Sequence, residues 1–499
     1  MYIGVDCGTQ STRVVVLDAE KAAIVGEGQR PHELVSRASG RREQSPQGWV
    51  DAFEGAFHDA LAAAGIEASA VRAIGVSGQQ HGMVALDADG EPVYPAKLWN
   101  DTESFRENAE LIEALGGEKG CLETLGLVPQ TGYTASKVAW LRRHHRKAYD
   151  RIAHLLLPHD YLNFYLTGEY TAEQGDASGT AYFDTRARDW HPEALACVAP
   201  ELDPDRVLPR LIAPGAPAGR VRPVLAQRLG LGRQVLVASG GGDNMMGAIG
   251  TGNITAGSVT MSLGTSGTLY ACADRPAVTG DGLVANFCSS HGGWLPLICT
   301  MNVTSATGRI RELLELDIDD FNAAAARAPI GAEGLCMLPF FSGERVPMLP
   351  EATGHLAGMS LHNLSRDNLA RAVMEGATFG LRYGLDLLAD FDIRPERLRL
   401  VGGGARSAVW RQMVADVMAV EVGCPVVHEA AALGAALQAQ WCDLGDRGEG
   451  VALVDLCQRS VEMDPATLTY PDKESVARYR EAFDDYVGLL ENRYPQLMG

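Results

Sequence analysis

Apolar residues in this chain gather in short runs that end in glycine-rich turns, and longer stretches of helical period lie between them. The opening residues 2–17 hold two such runs, Ile3-Gly4-Val5 and Val14-Val15-Val16-Leu17, on either side of the turn Gly8-Thr9-Gln10-Ser11-Thr12. That spacing predicts a β-hairpin. Further strands are expected in VRAIGVSG (71–78), RQVLVASGG (233–241), GSVTMSLG (257–264), GLCMLPFF (334–341) and RLRLVGGG (397–404). Helices are expected over NLARAVMEGATFGLRYGLDLLADF (368–391), over WRQMVADVMAV (410–420) and at the C-terminal end (470–494). Alternation of this kind belongs to the α/β class.

Two local devices occur twice. The hairpin VDCGTQSTRVVVL (5–17) is echoed by MSLGTSGTLYACA (261–273), each a strand, a Gly-Thr-x-x-Thr turn and a second strand. The glycine triplets Gly240-Gly241-Gly242 and Gly402-Gly403-Gly404 each follow a strand and precede a helix. Consecutive glycines let a backbone approach a ligand, and the following helix N-terminus offers free N–H groups to phosphate or sugar oxygens. At 499 residues the chain is too long for one core. The glycine-rich stretch 247–257 is the natural boundary, giving domains of 1–247 and 248–499, each opened or closed by one of these devices.

Composition narrows the partners. The chain is 46% hydrophobic, and no apolar run approaches the roughly 18–20 residues that span a bilayer. A strand beginning at residue 2 leaves no room for a signal peptide. Ten scattered cysteines without a C-x-x-C pair suit reduced thiols, and a cytoplasmic location is expected. A net charge of −20 without a basic block makes nucleic acid and anionic membrane poor partners. An anionic substrate would need a metal ion, arginines or helix N-termini to offset that charge. No P-loop, dinucleotide fingerprint, nucleophile elbow or H-E-x-x-H motif occurs.

Two acids stand out. Asp6 interrupts an apolar strand, where a carboxylate is costly unless a cation meets it, as a Mg²⁺-linked acid would. Asp243 follows the first glycine triplet, either as a helix N-cap or as a base awaiting a hydroxyl proton. SGQQHGMV (77–84) offers Gln80 and His81 to a polyol, or is an ordinary surface turn. KLWNDT (97–102) sets Trp99 beside Asn100 and Asp101, an aromatic plane with polar groups or a buried tryptophan with turn residues.

Taken in order and spacing, VDCGTQST, SGQQHG, LWND, GGGDN, SLGTSG, LPFFSGERVP and GGGARS resemble the FGGY carbohydrate kinases from residue 2 to about residue 440. GYTASKVAWLRRH (132–144) and GHLAGMSLHNLSRDNLARAVME (354–375) also match that family's signature patterns. Within the family, the branch acting on D-xylulose is most similar. The resemblance implies two ribonuclease-H-like, actin-like ATPase domains around a central cleft, with sugar and ATP as small-molecule substrates and Mg²⁺ as cofactor. It implies Asp243 as catalytic base and Asp6 as the acid near Mg-ATP. Sugar contacts fall on Gln80, His81, Asp243 and Asn244, with Trp99 and Asp101 beside them. Nucleotide contacts fall on Gly8, Thr9 and Gln10 of the first turn, Gly264 and Thr265 of the second, and Gly403 and Gly404. In one respect the chain departs from the family, whose sugar loop on D-xylulose often reads Gln-Met-His-Gly, where this chain has Gln80. Another ketose or an alditol (ribulose, fuculose or glycerol type) stays open. So does a nucleotide switch without a sugar, and a homodimer stays open as the assembly.

Overall fold

The computed structural model describes residues 1–498. Contacts divide the chain into two compact units. The first comprises Met1–Thr255, Cys272–Pro296 and Glu429–Val461, and the second comprises Ala256–Ala271, Leu297–His428 and the chain from Glu462 onward. A single cut at 247/248 therefore describes the order of the sequence, whereas the contacts return residues 248–255, 272–296 and 429–461 to the first unit.

The first unit is built on a sheet of β1 (Tyr2–Cys7), β2 (Ser11–Asp18), β3 (Ala23–Pro31), β4 (Ala73–Gly78), β5 (Pro217–Arg220), β6 (Leu236–Ala238) and the short β7 (Gly241–Gly242). Its strand order is β5-β6-β4-β1-β2-β3, with β7 beside β4. The β1–β2–β3 meander is antiparallel, and β4 joins β1 in parallel, pairing Asp6 with Ser77. Ile3, Val5, Val14 and Val16 are fully buried, as expected of a sheet covered on both faces.

The helix Ala430–Asp446 belongs to this unit and lies on β1 and β4. Its backbone also runs against the helix Asp243–Gly250, with Gly434 and Gly250 at the crossing. A Cβ on either glycine would collide with a main-chain carbonyl oxygen, that of Met246 for Gly434 and that of Ala430 for Gly250. Backbone cannot yield as a flexible side chain does. Gly434→Val is therefore expected to cost about 3 kcal/mol or more, read as a lower denaturation midpoint.

The second unit repeats the plan. β8 (Val259–Leu263), β9 (Gly267–Ala271) and β10 (Trp294–Thr300, paired from Leu297) form an antiparallel meander. β11 (Arg397–Val401) and β12 (Glu421–Gly423) extend it in parallel from β8. The helix Arg366–Ala389 buries most of its length in this unit, and Ala408–Met418 follows the second glycine triplet. These elements fall within two or three residues of their expected positions. All ten cysteines are free thiols. No described helix is long and apolar enough to cross a membrane.

Candidate active site

In the first unit Asp6 is the fifth residue of β1, half-buried at the end of a strand otherwise sealed from water. Ser77 Oγ, its partner in register on β4, donates to Asp6 Oδ1 at 3.0 Å. Burial raises the Asp6 pKa; the Ser77 bond and the Arg13 charge act the other way. Asp243 follows β7 as the first residue of its helix, so Gly242 takes the N-cap position. The Asp243 side chain accordingly does not cap. Its Oδ1 accepts from the Asn244 amide (2.8 Å) and Nδ2 (3.2 Å). Burial, with the charges of Asp6 and Asp176, pushes Asp243 up to about 7. A carboxylate poised there can accept a proton near neutral pH.

Asn244 Nδ2 also donates to Gln80 Oε1 at 2.8 Å, which ties the Asp243 helix to the loop after β4. In that loop His81 has φ of 63°, a conformation unusual outside glycine. Its ring stacks on Tyr133 with centroids 4.3 Å apart, and Nδ1 lies 2.9 Å from the Gly179 carbonyl oxygen. The His81 carbonyl accepts from Thr134 Oγ1 (3.1 Å) and from Lys137 Nζ (2.6 Å), whose amine also donates to the Gly132 carbonyl. Lys137 is fully buried, and burial holds its pKa well below the usual lysine range. Lys137→Met would leave two carbonyls without this donor and free the His81 loop. It is expected to cost about 2 kcal/mol of stability, measured as a lower denaturation midpoint.

The turn between β1 and β2 is closed by Gly8 N–H donating to the Ser11 carbonyl at 3.1 Å. Thr9 is pinned from several sides: Gln44 Nε2 donates to its carbonyl (2.7 Å), and Trp99 Nε1 donates to its hydroxyl (3.0 Å). Trp99 remains 40% exposed, and Gln10 is exposed at the turn. Asp101 is instead completely buried, and its carboxylate bonds Lys97 Nζ (3.0 Å) and the Arg42 amide (2.8 Å). Glu43, Asp101 and Glu103 bring oxygens close enough to resemble a metal site. Lys97 Nζ already lies 3.1, 3.0 and 2.9 Å from them and supplies the positive charge.

In the second unit Gly264 and Thr265 form the turn of the β8–β9 hairpin, with Thr265 exposed. The helix Thr304–Leu313 docks on that turn through backbone N–H groups. Thr304 donates to the Gly264 carbonyl (2.9 Å) and Ser305 to that of Thr265 (3.2 Å). Ser262 occupies the position Asp6 holds in the first hairpin, facing Thr268 on β9 and Val401 on β11. Gly403 and Gly404 line a cavity of about 570 Å³ with Thr307, Gly308, Asn322 and Trp410. That size suits a nucleoside or drug-sized ligand.

Sequence reasoning missed a buried ionic group in the first unit. His159 is completely buried, with Nδ1 2.6 Å from Asp176 Oδ2 and Nε2 3.0 Å from Asp160 Oδ1. Burial opposes its charge, but the two acids outweigh it and hold the imidazole pKa well above the usual range. Burial raises Asp176 to about 6 and Glu173 to about 7. The Glu173 carboxylate accepts the amides of Gly175 and Asp176 at 2.7 and 2.6 Å. TAEQGDASGT (171–180) carries acids but no apolar period, so only the fold shows that they meet His159.

An antiparallel three-strand meander extended by parallel strands, present in both units, is the ground plan of the actin-like ATPase fold. One unit holds the Asp243 carboxylate, raised to about 7, and the other holds a glycine-lined cavity. The N-terminal domain of the FGGY family of carbohydrate kinases matches residues 1–250, and the C-terminal domain matches residues 259–442. The xylulose kinase of Haemophilus influenzae is 48% identical over 498 residues, which cover 99% of this chain and all of that one. That of Streptomyces rubiginosus is 40% identical over 100% of this chain and 97% of its own. The crystal structure of a xyloylose kinase from Brucella ovis superposes with a TM-score of 0.91 at 31% identity, covering 100% and 99% of the two chains. This chain belongs to the FGGY family of carbohydrate kinases.

Proposed function

We propose that the enzyme transfers the γ-phosphate of ATP to O5 of D-xylulose, with Asp243 as general base. The observation that carries the reading is the Asp243 carboxylate. It opens a helix, is oriented by Asn244, and is raised to about 7 by burial and by Asp6 and Asp176. The Haemophilus influenzae and Streptomyces rubiginosus relatives, matched over 97% or more of their length, are xylulose kinases, which supports this ketose above other FGGY substrates.

Ionised Asp243 accepts the O5 proton as O5 attacks the γ-phosphorus and the bond from that phosphorus to the ADP oxygen breaks. His81, held by Tyr133 stacking and by Lys137, presents Nε2 to the sugar. Asn244 and the exposed Trp99 face supply a polar and a flat contact. The turn amides of Gly8, Thr9, Gln10, Gly264 and Thr265 bind phosphate oxygens, and Gly403 and Gly404 admit the adenosine. Asp101 acts one step back, fixing with Lys97 the loop that carries Trp99. Asp6 fits a divalent cation, being a hard oxygen donor that burial makes reluctant to stay charged alone. Bound there, Mg²⁺ would offset phosphate charge that the acidic protein otherwise repels. Free thiols and the ATP requirement fit a cytoplasmic enzyme.

Identification of the product by ³¹P and ¹³C NMR tests the regiochemistry. A phosphate coupled to C5 is expected, and a phosphate on C1 or a secondary oxygen would contradict the assignment.

A further inference from the structure

Gln80 has one polar atom engaged and one stranded. Its Oε1 accepts from Asn244, whereas Nε2 is sealed from solvent without a partner. Across the adjoining backbone the Asp176 carboxylate has the complementary vacancy. Its Oδ2 bonds His159, and its Oδ1 is buried without a partner. Both side chains press on the same residue, Gly242. A Cβ there would lie 2.7 Å from Gln80 Cγ and 3.0 Å from Asp176 Oδ1. Gly242 immediately precedes Asp243. Gln80 is 4% exposed and Asp176 is fully buried, so neither stranded atom is placed for solvent.

An unpaired donor and an unpaired acceptor in one buried place each carry a desolvation penalty that joining them would remove. We propose that Gln80 is a positioning residue, not a sugar contact. Its Nε2–H joins Asp176 Oδ1, directly or through one water, and its Oε1 orients Asn244 against Asp243. The line His159–Asp176–Gln80–Asn244–Asp243 then anchors the base in the protein interior. Methionine at position 80 could not make either bond, so the glutamine gives this chain a support for its base that an apolar residue would not.

The proposal rests on Asp243 being the base, and reciprocal substitution tests it. Gln80→Glu keeps the acceptor for Asn244 but sets a carboxylate against Asp176. Asp176→Asn keeps an acceptor for His159 but sets an amide N–H against Gln80 Nε2–H. Each single change is expected to lower kcat about 30-fold with the sugar KM within about threefold. In Q80E/D176N the new amide donates to the new carboxylate, and kcat should return to within about fivefold of wild type. Gln80→Met, which removes both bonds without adding charge, should lower kcat about tenfold at unchanged KM. A sugar contact would instead raise the sugar KM in Q80E and Q80M, and additive losses in the double variant would equally overturn the tie. The same four proteins of the cycle are compared by thermal unfolding in the absence of substrate. There the two substitutions should be non-additive, with the double variant more stable than either single one. Additivity would overturn the tie even if no ketose proved to be the substrate.

Discussion

Asp243→Asn should lower kcat by about 10³–10⁴ while leaving the ATP dissociation constant within about threefold. The substitution keeps the size of the side chain and its contact with the Asn244 amide, but it cannot take the hydroxyl proton. Without a base the attacking oxygen stays protonated until late in the transfer, and the loss falls on turnover. Near-normal kcat in a folded variant would remove Asp243 from this role.

The same residue sets two pH dependences of opposite consequence. With Asp243 as the proposed base, its pKa of about 7 predicts that kcat/KM falls about tenfold per unit as pH drops below that value. For stability the sign is reversed. The folded-state pKa is raised above the ordinary 3.8, so the group's favourable contribution is complete below that value. It is lost as pH rises through about 7, where a charge must be kept in the interior. At pH 8, Asp243→Asn should therefore unfold at a higher temperature than wild type while being almost inactive.

Asp6→Asn is expected to lower kcat/KM for Mg-ATP by about 10²–10³ and to shift the Mg²⁺ dependence of turnover to higher concentration. Asparagine can still accept from Ser77, so β1 and β4 keep their register. It lacks the charge that a divalent cation would pair with. It also removes one of the two negative charges that raise Asp243, so the acidic limb of the pH profile should move to lower pH. Unchanged Mg²⁺ dependence together with an unshifted limb would argue that Asp6 is structural.

Much of the fold was legible in the sequence. The repeated hairpins predicted two related sheets, and both units have the same meander and parallel extension. Asp6 at a strand end and Asp243 after glycines were readable because each breaks a pattern, an acid in an apolar run or beside a turn. Residues whose role depends on distant partners were not. Asp101 looks like a pocket residue beside Trp99, yet the fold turns it toward Lys97. Lys137 lies in a helical stretch that gives no hint that its amine bonds the His81 carbonyl. Asp176 and His159 are ordinary polar residues until burial joins them. The helix Ala430–Asp446 is rich in alanine, leucine and glycine, a surface that suits many sheets. Its packing on β1 and β4 and the close approach of Gly434 to the Asp243 helix show which unit holds it. The loop position of Gln80 suggests a sugar contact, while its engaged and stranded amide atoms come from the three-dimensional packing alone.

The central claim is that this chain is a sugar kinase whose preferred acceptor is D-xylulose. ADP release by the purified protein with Mg-ATP, followed by a coupled assay across ketoses, aldoses and alditols, tests it most directly. Release stimulated by D-xylulose is expected, with kcat/KM at least about tenfold above that for ribulose, fuculose or glycerol. Equal or greater stimulation by another sugar would contradict the substrate, and ADP release that no sugar stimulates would contradict the kinase reading itself.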